Sequence, residues 1–98
     1  MMDLRSLHHR AMELADQAIL AAAAGEETSA REFNREALRF EAEAANLLLG
    51  SYEREPARSI IFRGAATLAL RCGNLDGARR LACQGLAGMP PADLQDEL

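Results

Sequence analysis

The sequence predicts an all-α fold of two antiparallel helical hairpins, and three observations point there. The 98 residues include 20 Ala and 15 Leu but no Val, three Ile and two Thr. Ala and Leu favour helices, whereas the β-branched residues that favour strands are scarce. Apolar residues recur at steps of three and four, the spacing of one helix face. Gly25, Gly50 and Gly73 divide the chain into four such stretches, and glycine ends helices because it adopts the left-handed conformation without strain. A chain of this length is one domain. Residues 1–98 are therefore read as hairpin one (about 4–49), hairpin two (about 56–88) and a tail (89–98).

The first helix is predicted over 4–24, with Asp3 capping its orphan amides and Gly25 ending it. Its apolar face runs Leu4, Leu7, Ala11, Leu14, Ala18, Ala21. The second is predicted over 30–49. Ser29 and Glu32 stand three apart as a capping box, and Phe33, Ala37, Phe40, Ala44 and Leu47 make a heptad-like seam. The third starts at Pro56, where a missing amide costs nothing, and ends near Cys72. Asn74 caps the fourth, over 75–87. After Pro90 and Pro91, residues 92–98 are expected to form a short terminal helical segment.

Charge narrows the partners. The net charge of −4 argues against a nucleic-acid binder, because neutralising phosphates needs a basic surface. All eleven cations are Arg, which is read as the mark of a GC-rich, bacterial-type genome. Residues 1–50 carry nine acids against five Arg, residues 54–80 carry six Arg against two acids, and the last nine residues hold three acids and no base. The longest apolar run, Ala18 to Ala24, is far below the ~18 residues of a membrane span. A cytoplasmic protein without membrane contact is expected. Cys72 and Cys83 are expected to be reduced and mostly buried.

The two halves repeat. A shift of 48 places Ala18, Leu20, Ala21, Gly25, Ala30, Arg31 and Leu38 on Ala66, Leu68, Ala69, Gly73, Ala78, Arg79 and Leu86. Repetition of a helix–turn–helix unit points to a short α-solenoid.

The stretch from Phe62 to Pro90 resembles a tetratricopeptide repeat. Phe62 stands for the family's leading aromatic, Ala65 and Ala66 for its Leu-Gly pair, Ala69 for its Tyr and Gly73 for its turn; Ala78, Ala82 and the closing Pro90 follow in register. Hairpin one is similar more loosely, through Ala18, Ala21, Gly25, Ala30, Ala37 and Leu38. The resemblance implies stacked hairpins forming a protein-binding module. The stretch Glu55 to Ala66 is similar to small single-domain bacterial proteins of this type, which implies an accessory subunit of a larger effector or defence-type protein.

The sequence carries no recognisable catalytic constellation. His8, His9, Cys72 and Cys83 are the only soft ligands, and adjacent His residues on a helix point about a hundred degrees apart. No glycine-rich phosphate loop occurs. The acids Glu32, Glu36 and Glu43, with Glu41 on another face of the same helix, interleave with Arg31, Arg35 and Arg39, which reads as a solvated, salt-bridged surface. The expectation is a protein that binds rather than catalyses, with no metal and no cofactor.

Two candidate surfaces remain. Arg63, Thr67 and Arg71 recur every four residues on the third helix. In the tetratricopeptide family the first helix of each repeat lines a groove, so the resemblance puts Arg63 and Thr67 in that groove with Leu70 and Arg71 beside them. Two guanidiniums flanking a hydroxyl suit a carboxylate or an acidic segment; the alternative is a solvated Arg face. The second surface is apolar: Leu4, Leu7, Leu47, Leu48, Ile60 and Ile61 gather at one end of the hairpins, where three consecutive Leu cannot all be hidden. Two hairpins are fewer than the three repeats that usually stabilise a solenoid. Exposed faces therefore call for a protein partner or for a second copy in a structural homo-oligomer.

Overall fold

In the computed structural model, which describes residues 2–87, four α-helices follow one another: α1 (Leu4–Ala23), α2 (Glu27–Leu47), α3 (Ala57–Arg71) and α4 (Leu75–Leu86). No strand occurs among the described residues. Consecutive helices pack on each other, α1 with α2, α2 with α3 and α3 with α4. Hairpin one is the longer, with helices of 20 and 21 residues against 15 and 12. The terminal helical segment expected over 92–98 lies outside the described residues.

The two hairpin turns have the same hydrogen bonding, 48 residues apart. Gly25 and Gly73 sit at φ 81° and 76°. Glu26 N donates to Ala21 O at 2.8 Å and Gly25 N to Ala22 O; Asn74 N donates to Ala69 O at 2.9 Å and Gly73 N to Leu70 O. These paired bonds satisfy orphan carbonyls at the helix end, and the left-handed glycine makes them possible. Burial repeats as well: Leu14 and Phe62, Ala18 and Ala66, Ala21 and Ala69, Ala30 and Ala78, Ala37 and Gly85 are all buried.

The turn geometry corrects the predicted start of α2. The helix begins at Glu27, with Glu26 as its N-cap and no side-chain cap bond. The Ser29–Glu32 box therefore falls inside the helix. Once Glu26 closes the turn onto Ala21, the next residue is already helical. At the equivalent place in hairpin two, Asn74 does cap, accepting from Gly77 N at 2.9 Å. Asp3 accepts from Ser6 N at 2.9 Å.

One buried cluster joins α1, α2, α3 and α4 through Leu7, Ala44, Ala45, Leu48, Ile61, Phe62, Ala65, Ala69 and Leu81. A second holds Leu14, Ala15, Ala37 and Leu68. Small Ala residues at the crossings let the backbones approach, and packing of this kind is the main source of helical stability.

Arg58 organises the end of the core. Its side chain is fully buried. The guanidinium donates to Leu48 O, Leu49 O and Gly85 O at 3.1 Å and to Gln84 O at 2.8 Å. It also lies 4.7 Å from the centre of the Tyr52 ring and 4.8 Å from that of Phe62. The carbonyl ends of α2 and α4, the negative poles of two helices, thus converge on one cation. Gln84 and Gly85 lie in the last turn of α4, so the helix end is tied back to the α2–α3 connection. At the head of α3, Glu55 accepts from Ser59 N at 2.9 Å and from Ser59 Oγ at 2.7 Å.

Candidate protein-binding cleft

The residues that form the cleft come from α1 and α3. Met12, Ala15, Asp16 and Ile19 from α1 face Arg63, Gly64, Thr67, Leu68 and Arg71 from α3 across about 440 Å³. Their spacing of three and four is that of one face on each helix. The structure therefore brings together three of the four groove residues expected from sequence: Arg63, Thr67 and Arg71. Leu70 does not line the cleft and is 56% exposed; one residue before Arg71, it is turned about a hundred degrees away.

The cleft combines charge and apolar surface. Arg63 and Arg71 stand eight residues apart, about 12 Å along the helix. Asp16 supplies one opposing acid from α1. Thr67 Oγ1 donates to Arg63 O at 3.0 Å, a back-bond to the preceding turn. Its hydrogen is thus engaged, and its oxygen remains as an acceptor. Ile19 is 55% exposed, Met12 is half-buried, and Leu68 forms the floor from the second core cluster.

Gly64 joins this floor to the part-buried hydrogen bond between His8 and Glu41. Glu41 is fully buried, and its two carboxylate oxygens lie 3.0 and 2.9 Å from His8 Nδ1. A Cβ on Gly64 would stand 2.9 Å from Glu41 Oε2, so glycine is what lets α3 settle against the carboxylate. Burial raises the Glu41 pKa above its ordinary value, and the hydrogen bond and charge of His8 partly counter that. This corrects the expectation that Glu41, on its separate face of α2, is solvated like the other acids. Glu32, Glu36 and Glu43 are exposed, as expected. The i, i+3/i+4 spacing of acids and Arg along α2 concealed that position 41 points inward, toward α1.

A larger hollow of about 540 Å³ runs along α2 beside Ser29, Glu32, Phe33, Arg35, Glu36 and Arg39. One helix supplies that entire lining, and its two carboxylates and two guanidiniums offset each other. It offers less to a ligand than the two-walled cleft does.

The apolar set expected at the hairpin end divides in two. Leu7, Leu48 and Ile61 are buried core, at 3%, 0% and 5% exposure, and Leu4 packs against them half-buried. They are therefore no interface of the folded chain: α1, α2 and α3 already cover them. Leu47 and Ile60 do face outward, together with Leu49 and Tyr52. The thiols also divide: both are unpaired, Cys72 is half-buried and Cys83 is exposed. Burial raises the Cys72 pKa, which the nearby charge of Arg35 partly offsets.

Among the described residues, no group of three or more His, Cys, Asp and Glu side chains is placed to hold a metal ion, and no helix is long and apolar enough to cross a membrane. Comparison with protein-family models, with curated proteins and with solved structures finds no match to this chain.

Proposed function

We propose that this protein is a protein–protein interaction module whose α1–α3 cleft takes an acidic, amphipathic segment of a larger protein, and that it is not an enzyme. The observation that carries this reading is the pairing, across one cleft, of exposed Ile19 and half-buried Met12 with the guanidiniums of Arg63 and Arg71. An apolar strip beside spaced cations matches a segment that alternates Leu-type and acidic side chains. The repeated turns and repeated burial of the two hairpins support a tetratricopeptide-like stacking, in which such a cleft is the inner groove of a short solenoid. A cytoplasmic adaptor, an accessory subunit to a bacterial effector or defence-type protein, is the cellular role this reading favours. It needs no cofactor, metal, nucleic acid or membrane.

Selection of displayed peptides on the purified protein tests it. Enriched peptides should alternate acidic and aliphatic residues, and in NMR titrations they should shift the signals of Met12, Ile19 and Thr67. Ile19→Ser combined with Arg71→Ala should weaken their binding at least tenfold without loss of helix content. Selected peptides that lack acids, or that shift α2 signals instead, overturn the reading. Self-assembly as the protein's role is the second reading, favoured by exposed Leu47, Leu49 and Tyr52 at one end of the fold. Sedimentation across a hundredfold range of concentration separates the two.

A further inference from the structure

Three helices meet at one carboxylate beside the cleft. Glu41 of α2 is fully buried. Its two oxygens lie 3.0 and 2.9 Å from Nδ1 of His8 on α1, and the second of them, Oε2, is the atom that a Cβ on Gly64 of α3 would approach. Gly64 itself lines the cleft. His8 is half-buried and stands four residues before Met12, the first α1 residue of the lining, so it belongs to the same face of α1, one turn away. One carboxylate is thus bonded to the α1 wall and abuts the α3 wall.

The charges around it are few. On α1, Arg5 is exposed one turn before His8, and Asp16 lines the cleft two turns beyond. On α3, Arg63 flanks Gly64 in the same lining. On α2, Arg39 and Glu43 are exposed, and the residues three and four from Glu41 are Ala37, Leu38, Ala44 and Ala45. Burial raises the Glu41 pKa and His8 lowers it, so the imidazole is the group that offsets its charge. We propose that the His8–Glu41 pair is a proton-operated latch that sets how the α1 and α3 walls of the cleft stand to each other. With one titrating proton between them, on either partner, the pair is neutral as a whole. With that proton lost, Glu41 is a buried anion facing the N–H of a neutral imidazole, and a buried anion gains most from water. Water reaches it beside Gly64, which has no side chain to stand in the way, and past the half-exposed ring of His8. The latch is closed on the acid side of the pair's titration and loosens on the alkaline side. The raised carboxylate pKa sets that sign, because the folded state then keeps its proton to higher pH than the unfolded chain does. The latch concerns the shape of the cleft and needs no ligand, so it stands or falls apart from the identity of the bound segment.

Methyl NMR on the full-length protein from about pH 5 to about pH 8 tests this, the span in which carboxylate–imidazole pairs exchange protons. Ile19 is the reporter, because it faces α3 across the cleft. It stands eleven residues from His8, about 16 Å along α1, beyond the ~8 Å over which physiological salt lets a charge act. Its signal therefore reads movement of the wall rather than the charge of the ring. The Ile19 δ-methyl signal and the methyl signals of Leu68 on the facing wall should move along one common pH curve. Glu41→Gln keeps the shape of the side chain without its titrating proton, and both signals should lose that movement. Glu41→Leu should do the same without burying a polar group, and far-UV circular dichroism verifies that each variant is folded. Signals that stay fixed in wild type overturn the proposal, as do signals that move equally in wild type and in both variants.

Discussion

Arg58→Met isolates the contribution of the buried guanidinium, because Met retains most of the aliphatic stem while removing every donor. Four carbonyls lose a charged partner: Leu48 O and Leu49 O at the end of α2, and Gln84 O and Gly85 O at the end of α4. A hydrogen bond to a charged group contributes ~1.5–3 kcal/mol. The four are not additive, since carbonyls near helix ends regain water once the guanidinium is gone, and the desolvation cost of burying the cation is relieved. The stacking against Tyr52 and Phe62 adds ~0.5–2 kcal/mol. A net loss of about 3–5 kcal/mol follows, a large share of the 5–15 kcal/mol typical of a whole domain. Urea unfolding followed by far-UV circular dichroism measures it, with the midpoint falling and the slope unchanged. The melting temperature should fall by about 12 °C or more. Arg58→Lys should restore only part of the loss, because one ammonium cannot reach carbonyls on two helices and two rings at once. A loss below about 1 kcal/mol for Arg58→Met would refute the view that this cation holds the ends of α2 and α4 together.

Gly64→Ala gains ~1 kcal/mol of helix propensity but drives a Cβ to 2.9 Å from Glu41 Oε2; it should destabilise in wild type and stabilise in a Glu41→Ala background, a sign change that a double-mutant cycle by urea unfolding detects. Leu48→Ala should cost ~2–5 kcal/mol in the same assay, since Leu48 is wholly enclosed. Asn74→Ala should cost ~1 kcal/mol through loss of the α4 cap, seen as faster amide exchange at Gly77. The folded-state pKa of Glu41 is raised above 4.5, so the folded protein binds more protons than the unfolded chain in the interval just above that value. The stability of wild type relative to Glu41→Gln should therefore be greatest below pH 4.5 and decline as pH rises through the folded-state pKa; a difference that grows with pH would contradict the assignment of burial as the dominant cause.

The helices, their hairpin pairing and both glycine turns were legible in the sequence, because each rests on local physics: apolar spacing, capping by Asp3 and Asn74, and the left-handed freedom of Gly25 and Gly73. The start of α2 was not, because two turn hydrogen bonds outrank a capping-box pattern two residues later. Within the cleft, Arg63, Thr67 and Arg71 were legible from their four-residue spacing, whereas Asp16 and Ile19 were not, since nothing local says which face of α1 will lie beside α3. Glu41 was misread, and the role of Arg58 stayed hidden, for the same reason. A charged side chain reads as solvated until tertiary structure provides a partner, and those partners lie 33 and 26 residues away in His8 and Gln84. One signal for Arg58 was available: Phe62 stands four residues on, the spacing at which a guanidinium lies over a ring on the same helix face.

That misreading changes the electrostatic argument. Six Arg between residues 54 and 80 suggest a single basic surface aimed at an acidic ligand. The fold divides them. Arg58 is enclosed, so its charge serves the helix ends and attracts nothing from solvent. Arg63 and Arg71 point into the α1–α3 cleft, where Asp16 offsets part of their charge. Arg54 lies exposed in the α2–α3 connection, and Arg79 and Arg80 lie exposed on α4, beside Leu75 and Leu86. An acidic segment therefore meets two separate pairs of cations, each beside different apolar residues. Charge alone attracts to both, and the apolar pattern next to each pair decides which segment stays. Salt should weaken the attraction at both pairs, while Ile19→Ser should weaken only binding in the α1–α3 cleft.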